Sequence, residues 1–485
     1  MTTLVSPLDL KDWFGENVRS LLCINPVSIS PQPVHALGTF FARSTEISGQ
    51  RRLADLARLV ATKHGLWTVS NEHIRDEVRY QLPTPDHELE QLRHALAGLL
   101  AADRAVYKGT YSFQLAHVTL AANDRTDNGL GELGSRLVLS SPDGIAAMEA
   151  VVDRLFERQP NPHWAIASLL IESKRSDVKV GPLMAPPPWT EIDQCQDLAE
   201  ECRSLLIRTL RLVAEGHDTL LSLRVLATTL TWIGQIVYAP VPSLVMESRM
   251  KVLLAEAGDP GQLPGLRDAS AASRRGLNGA WEGWLAHQLS ETIADRFSGI
   301  EPSTEVMIEF LQGCKPYSIA GGAQAQTTNA RIPDVYATWL ENHPPFIAGG
   351  NTLQDVLAAS MGNKPVKWFD AVGRHCGFIG PRRGHPSRFR AEVSLLPTLV
   401  MAGTLPSDST AVPMSEWLER MITKFGVVFG PHSEARNMPD RAPEEDLERN
   451  RDLLSQLLAA VGLARRYSDG VTEVLNLNML WRPSQ

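Results

Sequence analysis

Residues 364–393 read KPVKWFDAVGRHCGFIGPRRGHPSRFRAEV, a helix-forming segment followed by a hairpin-forming one. Pro365 is suited to the first turn of a helix, and Gly377 is suited to ending it. Apolar residues recur between them at helical spacing, at Trp368, Phe369 and Val372. The apolar pair 378–379, a loop rich in Gly and Pro, and the alternating residues 388–393 then predict two strands joined by a loop. A preceding helix over Leu353–Met361, with Thr352 as its N-cap, completes a helix-plus-hairpin unit that is predicted to span residues 351–430.

The same segment has a strong positive charge. Seven basic residues and one acid give residues 364–390 a charge of +6, whereas the whole chain carries −8 from 47 basic and 55 acidic residues. The basic residues are Lys364, Lys367, Arg374, Arg382, Arg383, Arg388 and Arg390. Three lie on or beside the predicted second helix and two lie in the hairpin loop, so the helix is expected to enter a DNA groove while the loop contacts phosphates. The alternatives are a docking surface for an acidic protein and a solvated basic face.

Units of the same order are predicted at both ends of the chain. Residues 36–125 contain three helical patterns followed by a hairpin pattern, and residues 444–485 contain a helix that Gly462 can end, then a hairpin with Asp469-Gly470 as a type I′ turn. The helices of the first unit are rich in acids, among them Asp76, Asp86 and Glu88. An acidic helix repels DNA, so the first unit is expected to bind protein.

The remaining segments are assigned by composition and periodicity. Residues 126–312 predict a helical domain, with amphipathic patterns over 146–158, 197–215, 220–238 and 273–296. Residues 1–35 read as an irregular arm, 313–350 as a loop region and 431–443 as a linker, since each is rich in turn-forming or small polar residues. The predicted fold class is therefore mainly α: a multidomain helical protein with units of helix plus small β-hairpin at both ends.

Residues 364–392 and 445–475 resemble winged-helix domains, in which three helices precede a hairpin. The combination of such units, a helical middle and no catalytic signature also resembles accessory subunits encoded in bacterial anti-phage or mobile-element operons. These resemblances imply a role in DNA binding or complex assembly, for example in an antiviral defence system. No functional residue is carried over from them.

Cellular location and membrane association are predicted from composition. Five cysteines without a CxxC pair favour a reducing cytoplasm, and the N-terminus lacks the basic and apolar regions of a signal peptide. Residues 225–246 contain no charged side chain, but threonines, Gln235 and two prolines favour a buried core helix that ends near Tyr238 over a membrane span. No membrane partner is expected.

Two catalytic or metal-binding alternatives are weaker. Glu172 and Lys174 follow an apolar run and resemble the ExK pair of PD-(D/E)xK nucleases, with Asp153 as the upstream acid that would help hold Mg²⁺. Cys195 and Cys202 lie seven residues apart, too far along a helix for one tetrahedral zinc site. The chain has no GxxxxGK(S/T), HExxH or GxSxG motif, and no cofactor or metal is expected.

The sequence thus predicts a non-catalytic DNA-binding or scaffolding subunit. The alternatives are an assembly adapter that does not bind DNA and a metal-dependent nuclease. The partners expected are DNA and one or more protein subunits.

Overall fold

The computed structural model describes residues 5–27, 31–48, 113, 116–119, 121, 127–157, 174–247, 249–257, 263–317, 331–362, 364–381, 386–438 and 441–480. The chain is mainly helical, which confirms the predicted fold class at that level. Most of the predicted N-terminal unit (36–125) lies outside the described residues, as do Arg382, Arg383 and Glu172.

In the N-terminal half, the residues that the structure describes form helices and one small sheet. Its helices are α1 (Leu10–Phe14), α2 (Ser20–Leu22), α3 (Pro33–Ser44), α4 (Leu130–Leu139), α5 (Pro142–Phe156), α6 (Gln196–Glu215), α7 (Thr219–Tyr238) and α8 (Pro240–Glu247). Strands β1 (Thr45–Ile47) and β2 (Val178–Val180) form an antiparallel pair. The prediction of an irregular arm over 1–35 is wrong for residues 10–22, which are helical with a π-helical turn over Gly15–Arg19. The reason is that Leu10, Trp13 and Phe14 are buried in the core.

The C-terminal half mixes helices with short strands. Its helices are α9 (Pro264–Arg296), α10 (Thr304–Gly313), α11 (Ile332–Leu340), α12 (Pro345–Met361), α13 (Lys364–Cys376), α14 (Leu396–Gly403), α15 (Met414–Phe425), α16 (Ser433–Arg436), α17 (Glu444–Ala460) and α18 (Leu477–Leu480). Its strands are β3 (Leu253–Leu254), β4 (Glu256–Ala257), β5 (Ile379–Gly380), β6 (Arg388–Ala391), β7 (Ala411–Pro413), β8 (Val427–Val428), β9 (Ala464–Arg466) and β10 (Thr472–Leu475).

Amphipathic periodicity located the central helices correctly. The helices α5, α6 and α7 lie within a few residues of the predicted ranges, and α7 ends at Tyr238 as expected. Asp218 caps α7 by accepting a hydrogen bond from the backbone N–H of Leu221. The stretch Thr219–Met246 is apolar enough to cross a membrane by length and composition, but 78% of its most apolar window is buried inside the protein.

The predicted loop region 313–350 is partly wrong, because α11 lies within it and α12 begins at Pro345. Thr352 is consequently not an N-cap; its hydroxyl donates to the carbonyl of Ala348 inside the helix. The pair Gly349-Gly350 marks a close contact between α12 and α9: a Cβ on Gly350 would overlap the Ser290 hydroxyl and the Ala286 carbonyl. Glycine at this position permits the two helices to approach each other closely.

The described helices share one apolar core that runs from Leu8 to Leu477. A second, smaller core lies beneath the contact of β3, β8 and α9, and it includes Leu254, Leu266 and Ala435. Because Ala435 lies on α16, the predicted linker 431–443 contains a short helix packed into this core. Asn450 on α17 binds the strands beside it: its amide donates to the carbonyls of Ala255 and Phe429 and its oxygen accepts from Ala257 N–H.

Candidate functional site

The predicted helix and hairpin of the basic segment are both present. Helix α13 is followed by β5 and β6, which pair antiparallel with Ile379 opposite Phe389 and Gly380 opposite Arg388. The aromatic residues of the segment are buried, as expected for inward positions: Trp368, Phe369, Phe378 and Phe389. Strand β6 also pairs in parallel with β4 on its other edge, so the hairpin is one part of a three-stranded sheet, β4-β6-β5.

Arg388 does not lie on a surface that phosphate can reach. Its side chain is fully buried, its Nε–H donates to Oε2 of Glu256 at 2.6 Å, and its Nη1 donates to the carbonyl of Pro386 at 3.4 Å. Burial raises the pKa of Glu256, while the hydrogen bond and charge of Arg388 oppose that rise. The prediction that Arg388 contacts phosphate is therefore wrong, because its charge neutralises a buried carboxylate on the neighbouring strand.

Arg390 lies two residues further along the same strand and is half-buried. It is the register partner of Glu256, and its Nε is buried without a hydrogen-bond partner in the described part of the chain. Arg390 therefore adds positive charge beside Glu256 but is only partly open to solvent.

Arg374 is also partly used inside the protein. Asp370, the one acid of the basic segment, accepts hydrogen bonds from Arg274 of α9 at 2.8 Å and 2.5 Å. Arg374 Nη1 lies 3.9 Å from the other oxygen of Asp370, and 26% of its side chain is exposed. Arg274 of α9 thus holds the Asp370 carboxylate more closely than Arg374 does.

The two lysines of α13 differ in exposure. Lys364 is half-buried, with its Nζ 5.8 Å from the ring centroid of Tyr317, a cation–π distance. Lys367 is exposed. Seven residues separate Lys367 from Arg374, which is nearly two full turns, so both lie on the same face of α13. The described basic residues therefore leave a smaller cationic surface than the sequence predicted, centred on Lys367 and Arg374.

Residues 396–475 form a second candidate site, here called the C-terminal unit. Its elements follow the order α14, β7, α15, α17 and the hairpin β9–β10, with β8 and α16 between α15 and α17. The sheet order is β7-β10-β9, and all its strands are antiparallel. Hairpin and preceding helix agree with the prediction for residues 444–485, and Gly462 ends that helix in a left-handed conformation.

The hairpin turn differs in detail from the prediction. Gly470 has a φ of +85°, but Asp469 does not have a positive φ, so the turn is not type I′. The N–H of Gly470 donates to the Tyr467 carbonyl and that of Tyr467 donates to the Val471 carbonyl. This pattern is that of a three-residue loop with glycine in the left-handed position.

The C-terminal unit is held together by polar contacts away from its surface. Arg420 of α15 forms a two-pronged ion pair with Asp408 at 2.5 Å and 3.0 Å. Asn476 donates from its side chain to the carbonyls of Leu405 and Ser409, which ties the loop before β7 to the end of β10. Burial alone would raise the pKa of Asp408, but hydrogen bonds from Arg420 and from Leu405 N–H outweigh it and lower that pKa.

A cleft of about 590 Å³ opens between α15, α17 and the hairpin, and we call it the hairpin groove. Its apolar lining consists of Met414, Leu418, Ile422 and Val471. Its charged lining consists of Glu419, Arg451, Asp452 and Arg466. The hairpin and the end of α17 expose three large apolar side chains, Val461 at 38%, Tyr467 at 46% and Val471 at 49%, and of these Val471 lines the groove. Local sequence patterns could not predict this groove, because three separate elements build it.

The nuclease alternative finds little support in the described residues. Asp153 is paired with Arg175, whose guanidinium also binds Glu149. Lys174 is exposed and precedes a 3₁₀ turn, and its backbone N–H donates to Asp177. Glu172 lies outside the described residues. No group of three metal-ligating side chains occurs among the residues that the structure describes.

The cysteines are buried free thiols. Burial raises the pKa of Cys195 to about 11 and that of Cys202 further still, so neither is a thiolate near neutral pH. Such thiols pack as small apolar side chains.

No protein-family model, no curated protein and no solved structure matches this chain.

Proposed function

We propose that the chain is a non-catalytic scaffolding subunit of a bacterial multi-protein system, and that the C-terminal unit is a winged-helix-like module that binds a partner protein. The element order and the sheet order β7-β10-β9 support a winged-helix-like assignment for residues 396–475. The boundaries of the C-terminal unit differ from those predicted from sequence, because α14, β7 and α15 belong to the same unit as the last helix and hairpin.

The surface chemistry of the C-terminal unit favours protein over DNA. Residues 396–475 contain eight basic and twelve acidic side chains, a net charge of −4. The first turn of α17, the helix before the hairpin, carries three acids, Glu444, Glu445 and Asp446. Affinity for DNA depends on neutralising phosphates with Lys and Arg, so an acidic helix in the groove-reading position would be repelled.

The single observation that carries the proposal is the exposure of large apolar side chains on the hairpin of the C-terminal unit. Tyr467 and Val471 are exposed on the hairpin, and Val471 also lines the hairpin groove beside the apolar residues of α15. The exposed Arg466 of the same hairpin adds a charge next to this apolar lining. An apolar centre with charged residues at its edge is typical of protein–protein interfaces. Tyrosine in particular is enriched among the residues that contribute most to such binding.

The test is a comparison of two charge-introducing variants. Full-length wild-type protein, a Tyr467→Asp/Val471→Asp variant and a Val393→Asp control are tagged and recovered from the native host after nuclease treatment. Val393 is 54% exposed but lies outside the C-terminal unit. Quantitative mass spectrometry should find a protein that wild type and the control retain and the double variant loses, and purified partner should then bind with the same ranking. Equal recovery by all three proteins contradicts the proposal.

A second candidate function, DNA binding through α13, is favoured by one observation. Lys367 is exposed on the same face as Arg374, and Arg374 shares its carboxylate partner with Arg274. This surface would bind phosphates independently of the C-terminal unit, so one subunit could hold both DNA and a protein.

A further inference from the structure

We propose that a cavity between α9, α16 and the segment before β3 binds a nucleoside di- or triphosphate. The cavity has a volume of about 520 Å³, within the range of small-molecule sites. The segment 249–252 forms one wall, residues 272–277 of α9 form the second, and Glu434, Asn437 and Met438 form the third. We call it the α9 cavity.

The charge around the α9 cavity favours an anion. Arg249, Lys251 and Arg275 line it, and Glu434 is the one acid among its lining residues. Arg249 is paired with Glu434, but 63% of its side chain is exposed, so most of its guanidinium surface remains open. Arg275 is exposed and forms no ion pair with another described residue. Exposed arginines at one opening attract the negative charge of a di- or triphosphate group.

The interior of the cavity is apolar, which a bare phosphate does not require. Met250, Val252, Leu277 and Met438 form this part of the lining. Val252 and Met438 pack on the second core, so the floor is a fixed part of the fold. Flexible methionine side chains fit flat aromatic rings well. An apolar floor with a cationic opening therefore matches a ligand that has a base at one end and phosphates at the other.

Polar groups that can orient such a ligand lie in the same wall. The Asn437 side chain lines the cavity, and an amide both donates and accepts hydrogen bonds, as a nucleobase edge requires. The Ser273 hydroxyl is already used, because it donates to the carbonyl of Val252 and accepts from Leu254 N–H. Ser273 thus fixes the wall, and Asn437 is the side chain left to read the base.

Gly276 exposes the backbone of α9 in the cavity wall. It is exposed in the middle of α9, and a Cβ there would meet no atom within 4 Å. Glycine also stands at the exposed positions 279 and 283 of α9, so residue 276 is distinguished only by its place in the cavity lining. A larger side chain at 276 would project into the cavity.

The same helix supplies a matched control. Gly283 is exposed, also has no atom within 4 Å of a Cβ position, and does not line the α9 cavity. Leucine at either position should keep the fold or stabilise it, since leucine is a better helix former than glycine. Leucine at 276 would occupy part of the cavity, whereas leucine at 283 would leave it open.

Isothermal titration calorimetry of the full chain with ATP, GTP, CTP and UTP tests the proposal, with pyrophosphate and adenosine as fragments. We expect saturable binding of at least one nucleotide, at least tenfold tighter than either fragment. Gly276→Leu and Arg275→Ala should each weaken it at least fivefold, while Gly283→Leu and Arg296→Ala, a second exposed arginine of α9, should not change it. No binding of any nucleotide, or equal binding by Gly276→Leu and Gly283→Leu at unchanged melting temperature, would overturn the proposal.

Discussion

The guanidinium of Arg388 and the carboxylate of Glu256 meet at 2.6 Å where β6 runs parallel to β4, and solvent reaches neither group appreciably. A sequence segment chosen for its positive charge thus contributes one of its arginines to the interior. The ion pair joins β4 to β6 inside the protein. The charge of Arg388 is consequently structural.

The first prediction concerns this pair. Arg388→Met should lower the free energy of unfolding by about 3–5 kcal/mol, because it leaves the Glu256 carboxylate buried without its partner. Arg388→Met/Glu256→Leu should recover most of that loss, since an apolar pair of similar size removes both charges together. Urea denaturation of wild type, both single variants and the double variant measures the coupling. A single Arg388→Met variant as stable as wild type would mean that water reaches Glu256.

The Arg388 result shows what a single sequence can and cannot predict. The strand over 388–391 was predictable because alternation is local. The partner of Arg388 lies 132 residues away in the chain, and nothing near Arg388 signals it. The same applies to Lys364, whose ring partner Tyr317 comes from the segment read as a loop.

Helices were predictable wherever one face is apolar over several turns. The ranges of α6 and α7 follow from that periodicity, since burial selects one face of each helix. The predicted start of α12 lies C-terminal to its observed start at Pro345. The first turns of this helix depend on the fit of Gly350 against α9, which is a tertiary property. Separate segments of the chain form the walls of the hairpin groove and of the α9 cavity, so no local motif predicts either of them.

A second prediction tests the contact of α12 with α9. Gly350→Ala should destabilise the protein by about 1–3 kcal/mol, because the added methyl overlaps the Ser290 hydroxyl and the Ala286 carbonyl. Gly283→Ala, at an exposed site of α9, should instead stabilise it by about 0.5–1 kcal/mol. Thermal unfolding followed by circular dichroism distinguishes the two signs. If Gly350→Ala and Gly283→Ala change the stability equally, α12 can move away from α9 without loss of stability.

A third prediction concerns acid stability of the C-terminal unit. The pKa of Asp408 is lower in the folded protein than its ordinary value of 3.8, so the unfolded chain binds this proton more readily. The ion pair with Arg420 therefore contributes fully above that ordinary value, and its contribution is lost as the pH falls through the folded-state pKa. Asp408→Asn should cost about 1.5–3 kcal/mol near pH 7 and progressively less below pH 3.8.

Denaturant titrations of wild type and Asp408→Asn at several pH values between neutrality and strong acid measure this difference. Asp469→Asn is the control, because Asp469 lies in the exposed hairpin turn and accepts from the backbone N–H of Val471. A stability difference between wild type and Asp408→Asn that does not change with pH would contradict the assigned role of the Arg420 pair.

The last prediction separates DNA binding from protein binding by the basic segment 364–390. If Lys367, Arg374, Arg382, Arg383 and Arg390 all touch phosphate, the logarithm of duplex affinity should fall with the logarithm of salt concentration at a slope of about −4.5, which is about −0.9 per contact. Lys367→Ala/Arg374→Ala should reduce the magnitude of that slope by about 2, and Arg382→Ala/Arg383→Ala should do the same. The Arg388→Met/Glu256→Leu variant should leave the slope unchanged, since the arginine that it removes is buried.

Fluorescence anisotropy of a labelled duplex at several salt concentrations gives all four slopes. If wild type shows no salt-dependent binding to DNA, an acidic protein becomes the expected partner of the basic face of α13. A reduced slope in the Arg388→Met/Glu256→Leu variant would contradict the buried position of Arg388.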